Sequence, residues 1–119
     1  MVATTSTQLQ DMQLDGLARI EWYDWWQGET ARAFEDEYGL RMEHANWSEN
    51  FAFTRVAEVP AEDKPLVNLG YLEAGEPIRD VLGDGSYGGP YQIDEALMDE
   101  LFNRLVEEAC ALVRGLSSP

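Results

Sequence analysis

The strongest periodic signal lies near the C-terminal end of the chain. Leu97, Leu101, Leu105, Ala109 and Leu112 recur every three or four residues, and Phe102, Val106 and Val113 widen the stripe. Apolar side chains at this spacing share one face of an α-helix. Asp94 is placed to N-cap it, Glu95 complements the helix dipole, and Gly115 marks its end. Glu95, Asp99 and Glu107 form an acidic, solvated outer face, so the apolar face is expected to pack on a sheet. Upstream, Ala31, Phe34 and Tyr38 share one face of a shorter helix over Glu29–Tyr38, with Gly39 as C-cap. Leu17–Tyr23 alternates, Ile20 and Trp22 against Arg19, Glu21 and Tyr23, and predicts a strand that Asp24-Trp25-Trp26-Gln27-Gly28 breaks. Phe51–Val56 is apolar and β-rich and suits either a strand or a helix. Pro60 to Pro65 is a turn region, Val67–Leu72 predicts another strand, and Gly75 to Pro90 is a loop rich in glycine.

These elements fit one small domain of 119 residues without internal repeats. Residues 1–16 read as a flexible arm or docking segment, 17–115 as the domain and 116–119 as a tail. Val2 to Gln13 is rich in Thr and Gln and lacks the basic region and apolar core of a secretory signal. No run of about eighteen apolar residues exists to span a membrane. Charge changes the picture more than hydropathy does. Asp and Glu number 23 against 8 Lys and Arg, a net charge of −15. Such a surface repels phosphate backbones and anionic lipid, so neither nucleic acid nor membrane is an expected partner. It suits either a solubility adaptation or a basic partner surface. Cys110 is the single cysteine, so no intrachain disulfide forms. It falls on the apolar helical stripe, reads as a buried small hydrophobe, and fits a reducing, cytoplasmic setting.

The single histidine, His44, lies in Met-Glu-His-Ala-Asn-Trp-Ser-Glu-Asn at 42–50. It is the one side chain with an ordinary pKa near neutrality. It could move protons or bind a metal, or simply be satisfied by one hydrogen bond. Glu43 and Glu49 flank it, but transition metals are normally held by three or four N, S or O ligands. Cys110 lacks an obvious base, and Ser48 and Ser86 sit in no nucleophile elbow. The Gly-Asp-Gly-Ser-Tyr-Gly-Gly-Pro loop is no phosphate cradle, because Pro90 intervenes before the helix and no Lys follows. Trp22, Tyr23, Trp25, Trp26 and Trp47 suit core and interface packing, or the walls of a pocket for a small planar substrate.

Three segments in order resemble the C-terminal half of the creatininase (creatinine amidohydrolase) family. Glu-Trp-Tyr-Asp-Trp-Trp at 21–26 is similar to the family segment carrying a substrate-covering tryptophan. Met-Glu-His-Ala-Asn-Trp-Ser-Glu-Asn resembles its Glu-His-(Gly/Ala)-Gly-x-x-Glu-Thr-Ser. Gly-Ser-Tyr-Gly-Gly-Pro at 85–90 resembles its Gly-Val-Tyr-Gly-Asp-Pro turn before the closing helix. Asn46, Asn50 and Gly89 depart from the family pattern. The family's metal ligands, which lie in its N-terminal half, have no counterpart in this sequence.

The resemblance implies an α/β fold: half of a creatininase-like three-layer α/β/α architecture, with few, mainly parallel strands and a long C-terminal helix. It also implies the complete small subunit of a heteromeric, split amidohydrolase cleaving an amide or cyclic-amide C–N bond, inactive alone. Within it His44 and Glu43 would be catalytic, His44 protonating the leaving nitrogen. Tyr23, Trp25 and Trp47 would cover a small amide substrate, with Glu49 and Asp24 in support. A divalent metal, Zn or Mn, would be held mainly by the larger partner subunit and not by this chain. The alternatives are a non-catalytic scaffold subunit and an acidic interaction protein.

Overall fold

A computed structural model describes residues 18–68 and 77–116, together with Gln8 and Gly16. Three helices organise them: α1 at Glu29–Tyr38, α2 at Ile78–Leu82 and α3 at Glu95–Leu116. One 3-10 turn, Trp25–Gln27, precedes α1, and another, Trp47–Glu49, lies between α1 and α2.

The helices form for local reasons. Gly39 takes the left-handed conformation, with φ 62°, and its N–H bonds the Glu35 carbonyl to close α1. Asp94 accepts the Ala96 N–H at 2.9 Å and so caps the start of α3. α3 runs through Gly115 to Leu116, past the expected stop.

α1 and α3 pack on each other through Ala31 and Phe34 on one side and Met98, Leu101 and Leu105 on the other. Met42, Trp47 and Phe51, from the irregular chain between α1 and α2, complete this core. A polar strap ties the same helices at the surface. Arg104 bonds Glu37 at 2.8 Å and Glu100 at 2.5 Å, and Tyr38 donates to Glu100 at 2.5 Å. The Arg104 guanidinium also lies 5.8 Å from the centre of the Phe34 ring.

The expected α/β/α architecture is therefore overturned. The described residues contain no sheet; their extended pairing is an antiparallel bridge between Lys64 and Gly89. Residues 18–23 are irregular, and Trp22 is exposed where a sheet would have covered it. A two-residue period specifies a strand only when a neighbouring strand pairs with it, and the described residues contain no such strand. Phe51–Val56 instead begins with a turn closed by Thr54, whose hydroxyl accepts the Phe51 N–H at 3.1 Å. Val67 and Asn68 are not in a strand; residues 69–72 of that expected strand lie outside the described residues, as does most of the N-terminal arm. The expected glycine-rich loop contains the short helix α2. Cys110 is exposed, not buried.

One consequence sets up the rest of the molecule. The apolar stripe of α3 is wider than α1 can cover. Leu101 and Leu105 are buried, whereas Phe102 and Val106 remain 42% exposed.

The core makes a graded prediction. Trp47→Ala and Phe34→Ala each remove a fully buried aromatic and should cost about 3–5 kcal/mol of unfolding free energy. Val56→Ala, at a 99% exposed position, should change stability by less than about 0.5 kcal/mol. Urea titration of the three variants checks the order, and equal losses would contradict this core.

Candidate functional site

Two of the surface depressions beside the segment from Arg41 to Thr54 hold expected site residues. The first holds His44. Trp26, Met42, Glu43, His44, Glu49 and Tyr87 line a cleft of about 380 Å³. The second is an apolar groove of about 480 Å³ between α3 and the Phe51–Thr54 turn, with Tyr23 and Trp25 also on its walls.

The His44 cleft is built by backbone pairing of two loops. The Tyr87 N–H donates to the His44 carbonyl at 2.9 Å, and the Trp47 N–H donates to the Pro90 carbonyl at 2.9 Å. Asn50 Nδ2 reaches the Tyr91 carbonyl at 2.8 Å. Asn46 organises the turn from inside. Its Oδ1 accepts the Ser48 N–H at 3.0 Å and the Ser48 hydroxyl at 2.7 Å, while its Nδ2 donates to the Arg41 carbonyl at 3.0 Å. Trp47 Nε1 donates to that same carbonyl at 3.0 Å. Ala45 has φ 54°, a conformation that costs a non-glycine residue and that these bonds hold in place.

The facing loop is pinned by Lys64. Its ammonium bonds Asp84 at 2.6 Å and the Ser86 carbonyl at 2.7 Å, and also reaches the Leu82 carbonyl. Asp84 further accepts the Ser86 N–H at 3.1 Å and the Tyr91 hydroxyl. Gly88, at φ 108°, must be glycine, because a Cβ there would run into the Pro65 carbonyl and the Leu66 Cα.

Within this frame the expected site residues separate. His44 Nδ1 lies 3.9 Å from a Glu49 oxygen, and the imidazole is 61% exposed with the Tyr87 ring 5.0 Å away, edge to face. Glu49 also accepts the Ala45 N–H. Glu43 is paired with Arg41 at 2.6 Å rather than with His44. Asp24 caps the Trp25–Gln27 turn by accepting the Trp26 N–H at 3.1 Å. Trp47 is fully buried in the core, so it has no surface left to cover a substrate. Tyr23 and Trp25 line the apolar groove, not the His44 cleft. His44 and Glu49 bring two donors close together. Among the described residues no cluster of three or more His, Cys, Asp or Glu side chains is gathered for a metal ion. Two donors fall short of the three or four that hold Zn or Mn; the resemblance places that metal mainly on a partner subunit.

The groove was not foreseen as one unit. Phe102, Leu105, Val106 and Ala109 of α3 line it together with Phe51 and Phe53. The Phe51 and Phe53 rings stack at 5.4 Å, and Phe102 meets Phe53 edge to face at 5.2 Å. Trp25 contacts Phe51 edge to face at 6.4 Å. At one end the Tyr23 hydroxyl donates to Glu108 at 2.8 Å. Burial, this bond and the Glu108 charge push the Tyr23 phenol up from 10.0 to about 12. Phe53 is 70% exposed, so the groove stands open to solvent there. The signal in the sequence was the excess width of the α3 stripe.

Family models, curated proteins and solved structures were all compared with the chain, and none of them matches it. Among the described residues no helix is long and apolar enough to cross a membrane.

Asp84 supplies a pH test of the loop pairing. The hydrogen bond from Lys64, then those from Tyr91 and the Ser86 N–H, hold its carboxyl at about 2, below its ordinary 3.8, against a small opposing effect of burial. A lowered folded-state value stabilises the fold above the unfolded value and is lost as pH falls through the folded one. The stability difference between the wild type and Asp84→Asn should therefore shrink as pH drops from 3.8 to about 2. Denaturant titrations at several pH values check this; a difference independent of pH would contradict the pinning.

Proposed function

We propose that this chain is a binding subunit, and that the groove between α3 and the Phe51–Thr54 turn is its working surface. One observation carries this reading: five aromatic side chains, Tyr23, Trp25, Phe51, Phe53 and Phe102, converge on one open groove of about 480 Å³. Its volume lies within the range of about 300–1,000 Å³ usual for ligand sites. Phe53 and Phe102 are exposed there, and exposed apolar side chains gathered into one patch favour a binding role over solvation alone. This is the non-catalytic alternative, with the acidic surface as a further selector. A reducing, cytoplasmic setting goes with it, since the exposed Cys110 has no second cysteine in the chain with which to pair.

A neutral environment-sensitive dye tests the groove without electrostatic bias. Nile red should brighten on binding the wild-type chain. Phe53→Ser combined with Phe102→Ser should lower its affinity by about tenfold or more, with the far-ultraviolet circular dichroism unchanged. Failure of the wild type to bind, or equal binding by the variant, would contradict the reading.

A second reading is favoured by the convergence of His44, Glu49 and Tyr87 on one cleft. In it the chain is the small subunit of a split, creatininase-like amidohydrolase, and the Zn or Mn belongs to the larger subunit of a hetero-oligomer. His44 would carry a proton to a small amide substrate, with Glu49 beside it. The complex purified with its partner should then lose about 10²–10⁴-fold in amide turnover on His44→Ala while keeping its metal content. Unchanged turnover would remove the catalytic role and leave the binding role standing.

A further inference from the structure

We propose that the groove receives a cationic amphipathic helix from a partner protein. The inference rests on the groove being the working surface and adds what occupies it.

Shape selects a helix. Phe102, Leu105, Val106 and Ala109 stand at i, i+3, i+4 and i+7 on α3. They make a ridged wall about two turns, or roughly 10 Å, long. A second helix fits such a wall by packing its own ridges between these side chains. Phe53, 70% exposed and meeting Phe102 edge to face at 5.2 Å, extends this apolar wall sideways and offers a further ring to the incoming helix. An added strand would need a sheet edge offering free backbone groups, and the described residues hold no sheet. Anchors at i, i+3 or i+4, and i+7 on the incoming helix would fill the groove.

Charge selects a basic helix. Glu49 lines the groove, and Glu108 lies at the Tyr23 end. The wider field points the same way. If each of the 8 Lys and Arg side chains neutralised one of the 23 carboxylates, 15 would still remain. A second copy of the chain carries the same net charge of −15 and is repelled at low ionic strength. A helix with Lys or Arg beside its apolar stripe is instead drawn in. Its long side chains can lay their methylenes over the aromatic rim while their charges reach the carboxylates.

Three synthetic helical peptides of about 18 residues, long enough to form several turns, test this with the full chain. One places Leu at the anchor positions and Lys elsewhere. The second has the same composition scrambled, so that no apolar face forms. The third keeps the Leu face and replaces Lys by Glu. Calorimetry should show the Leu/Lys helix binding at least about tenfold more tightly than either control. Raising the salt from about 50 to about 300 mM should weaken it several-fold. The neutral double substitution Phe53→Ser, Phe102→Ser should weaken it by about tenfold.

Equal binding of the scrambled peptide would overturn the proposal in favour of bare charge attraction. Equal binding of the Leu/Glu helix would overturn the charge selection. A photo-crosslinker at position 53 that joins residues 1–16 of the same chain, or a second copy, would identify a different occupant and also overturn it. Nile red binding separates the two levels. If the dye binds and the Leu/Lys helix does not, the helix proposal falls and the groove reading stands; if neither binds, both fall.

Discussion

Trp47 is the side chain on which the arrangement turns. Its ring is fully buried beside Phe34 of α1, with ring centres 6.1 Å apart. Its indole N–H is satisfied by the Arg41 carbonyl, and its backbone N–H is satisfied by Pro90. A buried aromatic of this size brings a large apolar area out of water, but only if its polar atom finds a partner. Asn46 and Ser48, themselves buried, shape the turn that presents that partner. The loop from Arg41 to Thr54 is therefore held as firmly as a regular element, although it has only one short 3-10 turn. Everything on either side of it inherits that fixed position: the His44 cleft on one side and the wall formed by Phe51 and Phe53 on the other.

The same constraint divides the aromatic residues by task. Trp47 and Phe34 are spent on the core, and Tyr38 is tied to Glu100, whose hydrogen bond, together with burial and nearby carboxylates, raises its phenol to about 12. Tyr23, Trp25, Phe53 and Phe102 are left at the groove, where α1 does not reach. Covering them would remove more apolar surface from water, so the chain has a standing free-energy gain available from association. The acidic surface does not oppose this for a basic partner, and it discourages pairing between copies. Apolar contact supplies the affinity and charge supplies the choice of partner.

α1 and α3 were legible in the sequence, whereas α2 and the surroundings of the helices were not. The bounds of α1 follow from the Ala31–Phe34–Tyr38 spacing and from Gly39, all local facts. The start of α3 follows from Asp94 in the same way. The expected strands failed because alternation over Ile20 and Trp22, or an apolar run over Phe51–Val56, does not say whether a pairing partner exists. With the sheet went the three-layer architecture. Trp47 looked like a pocket wall because an indole beside a histidine is ambiguous until burial is known. The amphipathic stripe of α3 announced an apolar face but not what would cover it, and the uncovered part became the groove. Asn46, two residues before Ser48, carries a turn signature that gives the loop its order.

The central claim is that the groove, and not the His44 cleft, is the surface at which this chain meets its partner. Amide chemical-shift mapping of the isotope-labelled chain during titration with the Leu/Lys helix distinguishes the two most directly. The account predicts perturbations concentrated at Phe51, Phe53, Phe102, Val106 and Ala109, with His44 and Tyr87 unmoved. Perturbations centred on His44, Glu49 and Tyr87, with the groove silent, would contradict it.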